Sequence, residues 1–272
     1  MQRAKGAMKS RGKAYLCGNS TRKMKAEKRK VEQVLPYAEE SSGKQEQLRE
    51  MFDRIAPVYD RANHLFSFQI DKSWRKTAIR SLRRQKPRLI LDVATGTGDF
   101  ALEAAAEPAT VKVTGIDISE GMMALAREKA KKRKLEGKVE FINGAVENLP
   151  FSDNSFDAVT VGFGVRNFAS LAQGLREIHR VLKNDGRVVI LELSKPKNSL
   201  ISTFYNLYFG KFVPWCGSLI SKDSEAYRYL NRSVEAFPER EAFIGMMKEA
   251  GFNHTQWKSL SFGICMRYSG QK

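Results

Sequence analysis

The chain alternates between short apolar runs and longer segments that carry apolar residues at helical spacing. The apolar runs predict strands at 88–93, 111–117, 138–142, 156–162 and 186–193. The segments between them predict helices at 99–106, 120–134 and 169–182. A strand that is apolar along its whole length is buried on both faces, which is typical of parallel sheets covered by helices. The alternation therefore predicts an α/β fold with a doubly wound, mostly parallel sheet.

The sequence on either side of this alternation predicts smaller units. Residues 45–55 carry apolar side chains at i, i+3, i+4 and i+7, which indicates an amphipathic helix, and 74–82 predicts a second one. These helices precede the first strand and are expected to form an N-terminal cap. Residues 254–268 alternate around a glycine and predict a closing pair of strands.

The stretch LILDVATGTGDF (89–100) joins the first strand to a glycine-rich turn. Gly96 and Gly98 let the backbone turn tightly and approach a ligand closely. The spacing G-x-G-x-x-A also occurs in dinucleotide-binding oxidoreductases, which are the alternative. Asp92 would repel a pyrophosphate and suits a cation. The loop therefore favours S-adenosylmethionine, which carries a sulfonium and an ammonium group and no phosphate.

Further candidates lie at the ends of the next strands. Asp117 follows Gly96 by 21 residues, where an acid accepts hydrogen bonds from ribose hydroxyls. After the third strand, Ala145 and Val146 offer main-chain groups and apolar contact to a flat adenine base. Ligands of such sheets bind beyond the carboxyl ends of the strands, so these residues and 162–167 are expected to line one crevice.

GFGVRNF (162–168) follows the fourth strand, where a methyl group and its acceptor would meet. Arg166 can hold a phenolate, an enolate or a water molecule by charge-assisted hydrogen bonds. We expect Asn167 to share this role and Tyr59 to complete the site from the cap. The alternatives are a salt bridge to a neighbouring helix for Arg166 and core packing for Tyr59.

The net charge of +17 lies mainly at the N-terminus. Residues 1–30 hold eleven Lys or Arg and one acid, which predicts a disordered tail. The tail can be a solvated extension, part of a wrongly assigned start before Met24, an organelle-targeting peptide, or a contact with anionic lipid or RNA. The lysine-rich helix end at 129–134 is expected to be a solvated face.

Other patterns narrow the class of protein. The odd set Cys17, Cys216 and Cys265 indicates a reducing compartment without disulfides. The three histidines lack metal-ligand spacing, and no metal site is expected. Without a P-loop lysine or a Gly-x-Ser-x-Gly turn, NTPase and hydrolase functions are not indicated. No apolar run is long enough to predict a membrane span, but the apolar, aromatic stretch 200–220 can pack in the core, line a pocket or rest on a membrane surface.

From about residue 45 to its end, the chain resembles the ubiquinone/menaquinone biosynthesis C-methyltransferases. The resemblance is carried by YDRANHLFSFQIDKSW (59–74), LDVATGTGD (91–99), FGVRN (163–167), RVLKNDGRVVILELSKP (180–196) and DSEAYRYLNRSVEAFP (223–238). It implies a Rossmann-like class I S-adenosylmethionine-dependent methyltransferase with a seven-stranded sheet. Thr97, Asp117 and the pair Ala145-Val146 match the family's cofactor contacts. Departures from the usual residues occur at Ala62, Asp71, Asn184-Asp185, Ala145 and Gly162.

The implied reaction moves a methyl group to a ring carbon of a prenylated hydroquinone, converting demethylmenaquinol to menaquinol. Alternative acceptors are 2-methoxy-6-polyprenyl-1,4-benzoquinol, another lipophilic small molecule or RNA. The expected location is the cytoplasm or the inner face of its membrane, with peripheral attachment to anionic lipid. Nucleic acid is not an expected partner, and a homodimer is left open. The predicted organisation is a basic, disordered extension over 1–44, a helical cap over 45–87, a cofactor-binding core over 88–193, a helical substrate-side insertion over 194–252 and closing strands over 253–272.

Overall fold

The alternating middle of the chain forms the sheet that its pattern predicts. The computed structural model describes residues 30–37, 40–198, 203 and 223–272. Its strands are β1 (Leu89–Val93), β2 (Lys112–Asp117), β3 (Val139–Asn143), β4 (Phe156–Gly162), β5 (Leu182–Leu193), β6 (Asn253–Leu260) and β7 (Cys265–Gln271). They form one seven-stranded sheet in the order β3-β2-β1-β4-β5-β7-β6. The first five strands pair in parallel, and β7 runs antiparallel to β5 and β6. The predicted parallel sheet with an antiparallel pair at the end is confirmed.

The helices cover both faces of the sheet and its carboxyl edge. Those that the structure describes in full are α1 (Lys44–Phe66), α2 (Ile70–Leu82), α3 (Asp99–Ala105), α4 (Glu120–Lys132), α5 (Leu171–Val181), α6 (Ser224–Ala236) and α7 (Glu241–Glu249). One buried apolar cluster lies under α5 and α7, a second lies under α2, α3 and α4, and a third joins α1 to α4 and α6. The third cluster seats the cap over the carboxyl ends of the strands.

The cap helix α1 is longer than its sequence pattern predicts. The pattern ends at residue 55, but the helix continues through Pro57 to Phe66. Proline removes one backbone donor and disturbs the helix locally. Tertiary contacts compensate, because Asp53 of α1 accepts hydrogen bonds from Ser119 Oγ (2.6 Å) and Gly121 N (2.9 Å) at the start of α4.

Part of the predicted disordered extension packs against the core. Val31 is only 1% exposed and belongs to the largest apolar cluster. Glu32 accepts a hydrogen bond from the Leu171 N–H at the start of α5 (2.8 Å), and Lys44 Nζ donates to the Val31 carbonyl (2.8 Å). The folded unit therefore begins before residue 45. A single buried valine in a polar stretch has no periodicity, so the sequence pattern could not reveal it.

Replacing Val31 with alanine is expected to lower the free energy of unfolding by about 2 kcal/mol, because two buried methyl groups are lost. Val111→Ala is the matched control, since Val111 is 48% exposed and its replacement is expected to change stability by less than about 0.5 kcal/mol. Urea denaturation of both variants would measure the difference. Equal effects would show that Val31 is not held in the core.

Two sequence predictions fall mainly outside the described residues. These are the disordered tail and the apolar stretch 200–220, of which only residue 203 is described. Across the described parts of the chain, none of the helices has the length and apolar character needed to cross a bilayer.

Candidate active site

The turn between β1 and α3 contains two glycines that have different structural roles. Both have positive φ, 54° at Gly96 and 79° at Gly98, a region that glycine adopts without strain. A Cβ at Gly98 would lie 2.8 Å from the Cβ of Ala126, so this glycine lets α4 pack against the turn. A Cβ at Gly96 would meet no atom within 4 Å. Gly96 therefore faces open space at the end of the sheet.

Asp92 lies beneath this turn and is 1% exposed. Its carboxylate accepts hydrogen bonds from the hydroxyls of Thr95 and Thr160, each at 2.6 Å. Burial raises the pKa of Asp92 to about 6, although the two hydroxyls oppose the shift. The carboxylate thus helps to hold the turn, and it also borders a polar cleft.

This raised pKa predicts a pH-dependent stability. Because the folded state binds the proton more tightly than the unfolded state, the stabilisation is present below the ordinary pKa of aspartate and is lost as the pH rises through 6. Between about pH 4 and 6, the free energy of unfolding of the parent should fall by up to about 3 kcal/mol relative to that of Asp92→Asn. Urea denaturation of both proteins across this range would test it. A constant difference would contradict the raised pKa.

Asp117 ends β2 beside a larger cleft of about 700 Å³, including its open mouth. The carboxylate accepts hydrogen bonds from the N–H groups of Gly96 (2.8 Å) and Ser119 (2.9 Å), and burial raises its pKa. This cleft, here called the β2 cleft, has a wall of apolar and small residues that includes Ile118, Met122, Gly144, Val146, Phe168 and Ala169. Ala145 is half-buried and is not among the residues that line it.

A second cleft, of about 500 Å³, lies on the other side of the glycine turn and is here called the acidic cleft. Four carboxylates line it together with one guanidinium: Asp60, Asp71, Asp92, Asp99 and Arg75. Arg75 and Lys129 pair with three of these carboxylates, so they offset part of the negative charge. The negative potential that remains favours a cationic ligand.

Thr97 and Lys129 join the cap to the wall of the acidic cleft. Thr97 Oγ1 donates to Asp60 Oδ1 of α1 (2.5 Å), and Lys129 Nζ donates to Asp60 (2.9 Å) and Asp99 (2.6 Å). The prediction that the lysines from 129 to 134 form a solvated face is therefore wrong for Lys129. Its side chain is 20% exposed, because the cap covers this part of α4.

A third cleft, of about 520 Å³, separates α1 from α6 and is here called the aromatic cleft. Its lining residues are mostly apolar or aromatic: Met51, Phe52, Ile55, Tyr59, Ala62, Asn63, Arg166, Ala226, Tyr227, Tyr229 and Leu230. Tyr59 is half-buried and lines all three clefts. Burial raises the pKa of its phenol, and a hydrogen bond with Asn63 opposes that shift. The three clefts therefore meet at Tyr59.

Arg166 forms a buried ion pair next to this junction. Its Nη1 lies 2.7 Å from Glu192 Oε1, and its Nε donates to Ser233 Oγ (3.3 Å). The backbone N–H of Arg166 donates to Glu192 Oε2 (3.2 Å). Nη1 also donates to the Phe163 carbonyl. Burial opposes the cation, yet Glu192 keeps the pKa of Arg166 above its usual value. The salt bridge that the sequence left as an alternative exists, but its partner lies on strand β5 and not on a helix. The same guanidinium borders the aromatic cleft.

Asn167 lines the β2 cleft and is held by a tyrosine that the sequence analysis did not single out. Tyr229 is 2% exposed, and its hydroxyl donates to Asn167 Oδ1 (3.0 Å). Burial raises the pKa of Tyr229. Glu192 was also missed, although a lone carboxylate in the apolar strand VVILEL is a recognisable signal. Both residues belong to stretches that carry the family resemblance.

Solved structures share this architecture at low sequence identity. A putative O-methyltransferase from Nostoc punctiforme aligns with a TM-score of 0.62 at 19% identity, over 93% of this chain and 68% of that one. The [4+2]-cyclase SpnF aligns with a TM-score of 0.57 at 17% identity, over 84% and 96%. The fold is that of class I methyltransferases, and the cyclase shows that the fold alone does not set the reaction.

The sequence comparisons are more specific. Residues 40–272 match the ubiE/COQ5 methyltransferase family. The demethylmenaquinone methyltransferase of Bacteroides fragilis is 45% identical over 89% of this chain and 98% of its own length. The ubiquinone/menaquinone biosynthesis C-methyltransferase UbiE of Geotalea daltonii is 46% identical over 84% and 97%. The chain belongs to the ubiE/COQ5 methyltransferase family, which confirms the resemblance found in the sequence.

Proposed function

We propose that this protein transfers the methyl group of S-adenosylmethionine to a ring carbon of a prenylated hydroquinone and converts demethylmenaquinol to menaquinol. The observation that carries the proposal is the meeting of the acidic, β2 and aromatic clefts at Tyr59. A cationic methyl donor and an apolar acceptor would face each other there. The name of the Bacteroides fragilis relative supports the choice of acceptor.

The clefts fit S-adenosylmethionine in size and charge. Asp117 retains lone pairs for ribose hydroxyls, and Gly96 leaves room for close approach. Val146 lines the β2 cleft, where the main chain of the pair Ala145-Val146 would meet the edge of adenine. Asp92 and the other carboxylates of the acidic cleft suit the sulfonium and ammonium groups. Thr97 and Gly98 shape the turn. The bound cofactor supplies an electrophilic methyl group.

The methyl group replaces the hydrogen of a ring carbon, which leaves as a proton, and the donor would leave as S-adenosylhomocysteine. The acceptor must first lose a hydroxyl proton so that this carbon becomes nucleophilic. Arg166 stabilises the resulting phenolate, and Asn167 holds the same oxygen or a water molecule that takes the proton. Tyr59 closes the site from the cap and helps to exclude water. In this assignment Glu192 and Tyr229 are positioning residues, because they hold Arg166 and Asn167 by hydrogen bonds.

The site of action follows from the acceptor. A prenylated quinol is dissolved in a membrane, so we place the enzyme in the cytoplasm, attached peripherally to the inner face of the membrane. The homodimer that the sequence leaves open stays a prediction, which the mass of the protein in solution would test. RNA is not among the proposed partners.

Mass spectrometry with methyl-labelled S-adenosylmethionine and reduced demethylmenaquinone would test the proposal. The expected product is heavier by one labelled methyl group on a ring carbon. If calorimetry shows that the cofactor binds but no product forms, the protein is still a methyltransferase, and demethylmenaquinol is not its acceptor. The next acceptor to test is 2-methoxy-6-polyprenyl-1,4-benzoquinol, because the Geotalea daltonii relative is named for both quinone pathways.

A further inference from the structure

Two turns at the carboxyl edge of the sheet expose large apolar side chains. Phe68, between α1 and α2, is 71% exposed, and Ile70, the first residue of α2, is 43% exposed. Phe262, in the turn between β6 and β7, is 82% exposed. These three residues are here called the apolar rim. Large apolar side chains exposed together at one edge of a protein often mark an interaction site.

A hydrogen bond joins the two turns. Trp74 Nε1 donates to Ser261 Oγ (2.8 Å), next to Phe262. Ile70 precedes Trp74 by one helical turn, so both lie on the same side of α2. The two turns therefore lie side by side at this edge. Trp74 also contacts the Phe163 ring, with 5.9 Å between centroids, and Phe163 lines the β2 and acidic clefts. The rim thus lies one layer of side chains away from the site.

Several lysines lie near the rim. Lys72 and Lys76 point away from the buried face of α2, Lys258 is exposed near the end of β6, and Lys197 is exposed beside the turn that holds Phe262. The adjacent Asp71 is buried and paired with Arg75 (2.8 Å).

We propose that the apolar rim and its lysines are the edge by which the protein docks on an anionic phospholipid bilayer. The rim would enter the interfacial layer while the lysines contact headgroup phosphates. This inference rests on the proposed function, because a membrane-dissolved acceptor could then reach the clefts from the docked edge. The aliphatic side chain of Ile70 and the outward-facing rings fit lipid better than nucleic acid, which favours stacked aromatic platforms within a basic groove.

Sedimentation of the full-length protein with vesicles would test the docking edge. The probes are vesicles of phosphatidylcholine alone and of phosphatidylcholine mixed with phosphatidylglycerol. The parent is expected to bind the mixed vesicles more tightly. The triple substitution K72Q/K76Q/K258Q should weaken that binding about a hundredfold, since each lysine near an anionic surface contributes about a fivefold factor. K131Q/K132Q/R133Q, which removes the same charge from exposed positions at the far end of α4, is the matched control.

A second pair of variants tests how much the apolar side chains contribute to vesicle binding. Ile70→Gln with Phe262→Asn should weaken binding to the mixed vesicles at least tenfold, and asparagine tolerates the positive φ of 58° at position 262. Val111→Gln, at an exposed apolar position before β2 and thus at the opposite edge, is the control.

Losses confined to the rim and lysine variants would support the docking edge. Equal binding by all variants, equal losses in the two charge triples, or the same losses on a short RNA would overturn it. Turnover of a water-soluble, short-chain demethylmenaquinol separates this inference from the proposed function. The rim variants should retain that turnover, whereas failure of the proposed function would abolish it in the parent as well.

Discussion

Replacing Arg166 with lysine is expected to lower kcat by about a hundredfold or more, with little change in the Kd for S-adenosylmethionine. Lysine keeps the positive charge beside Glu192, but it is a point charge and cannot copy the planar fork of arginine. It cannot bind Glu192 and Ser233 and still reach the acceptor oxygen. Loss of one group that stabilises a developing oxyanion typically costs this much. Steady-state kinetics and calorimetric titration of the cofactor would measure the two effects.

The conservative variant is needed because Arg166 also supports the fold. Arg166→Ala would leave Glu192, which has no exposed surface, as a buried unpaired charge at a cost of about 3–5 kcal/mol. Arg180→Lys is the matched control. Arg180 likewise donates to a carboxylate, Glu177 (2.8 Å), and to backbone carbonyls, but it lines none of the three clefts. Parallel losses of kcat and cofactor affinity in Arg166→Lys would instead assign Arg166 a structural role.

Replacing Asp117 with alanine is expected to raise the Kd for S-adenosylmethionine about a hundredfold. The change removes the acceptor for the ribose hydroxyls, and it also leaves the N–H groups of Gly96 and Ser119 without a hydrogen-bond acceptor. Each buried donor left without a partner costs about 1–3 kcal/mol, so the glycine turn should lose its fixed shape. Calorimetric titration of the folded variant with S-adenosylmethionine would measure the change.

Asp157→Ala separates the effect on the cofactor from the effect on the sheet. Asp157 also accepts two backbone hydrogen bonds, from the N–H groups of Arg88 (2.9 Å) and Leu89 (2.8 Å), but it lies at the amino edge of the sheet. We expect this variant to lose stability and to keep its cofactor affinity. Unchanged cofactor binding in Asp117→Ala would remove Asp117 from the proposed binding site.

Much of the fold follows from local pattern. The strands lie within a few residues of their predicted bounds, because burial on both faces makes parallel strands continuously apolar. The glycine turn and the closing strand pair were also predicted, since glycine spacing and alternation are local signals. The pattern was a weaker guide in the cap, where contacts with α4 carry α1 past Pro57.

For the site, as for the fold, local sequence determined some features and tertiary contacts decided the others. The sequence by itself determined the alternating fold, the glycine turn, the acids at the ends of β1 and β2 and the family, because each is encoded in consecutive residues. Only the tertiary structure decided that Glu192 holds Arg166, that Tyr229 holds Asn167 and that Val31 belongs to the core. These partners are separated by 26 residues in the first pair and 62 in the second. Such contacts have no local signal, because they form only when the sheet brings distant segments to one edge.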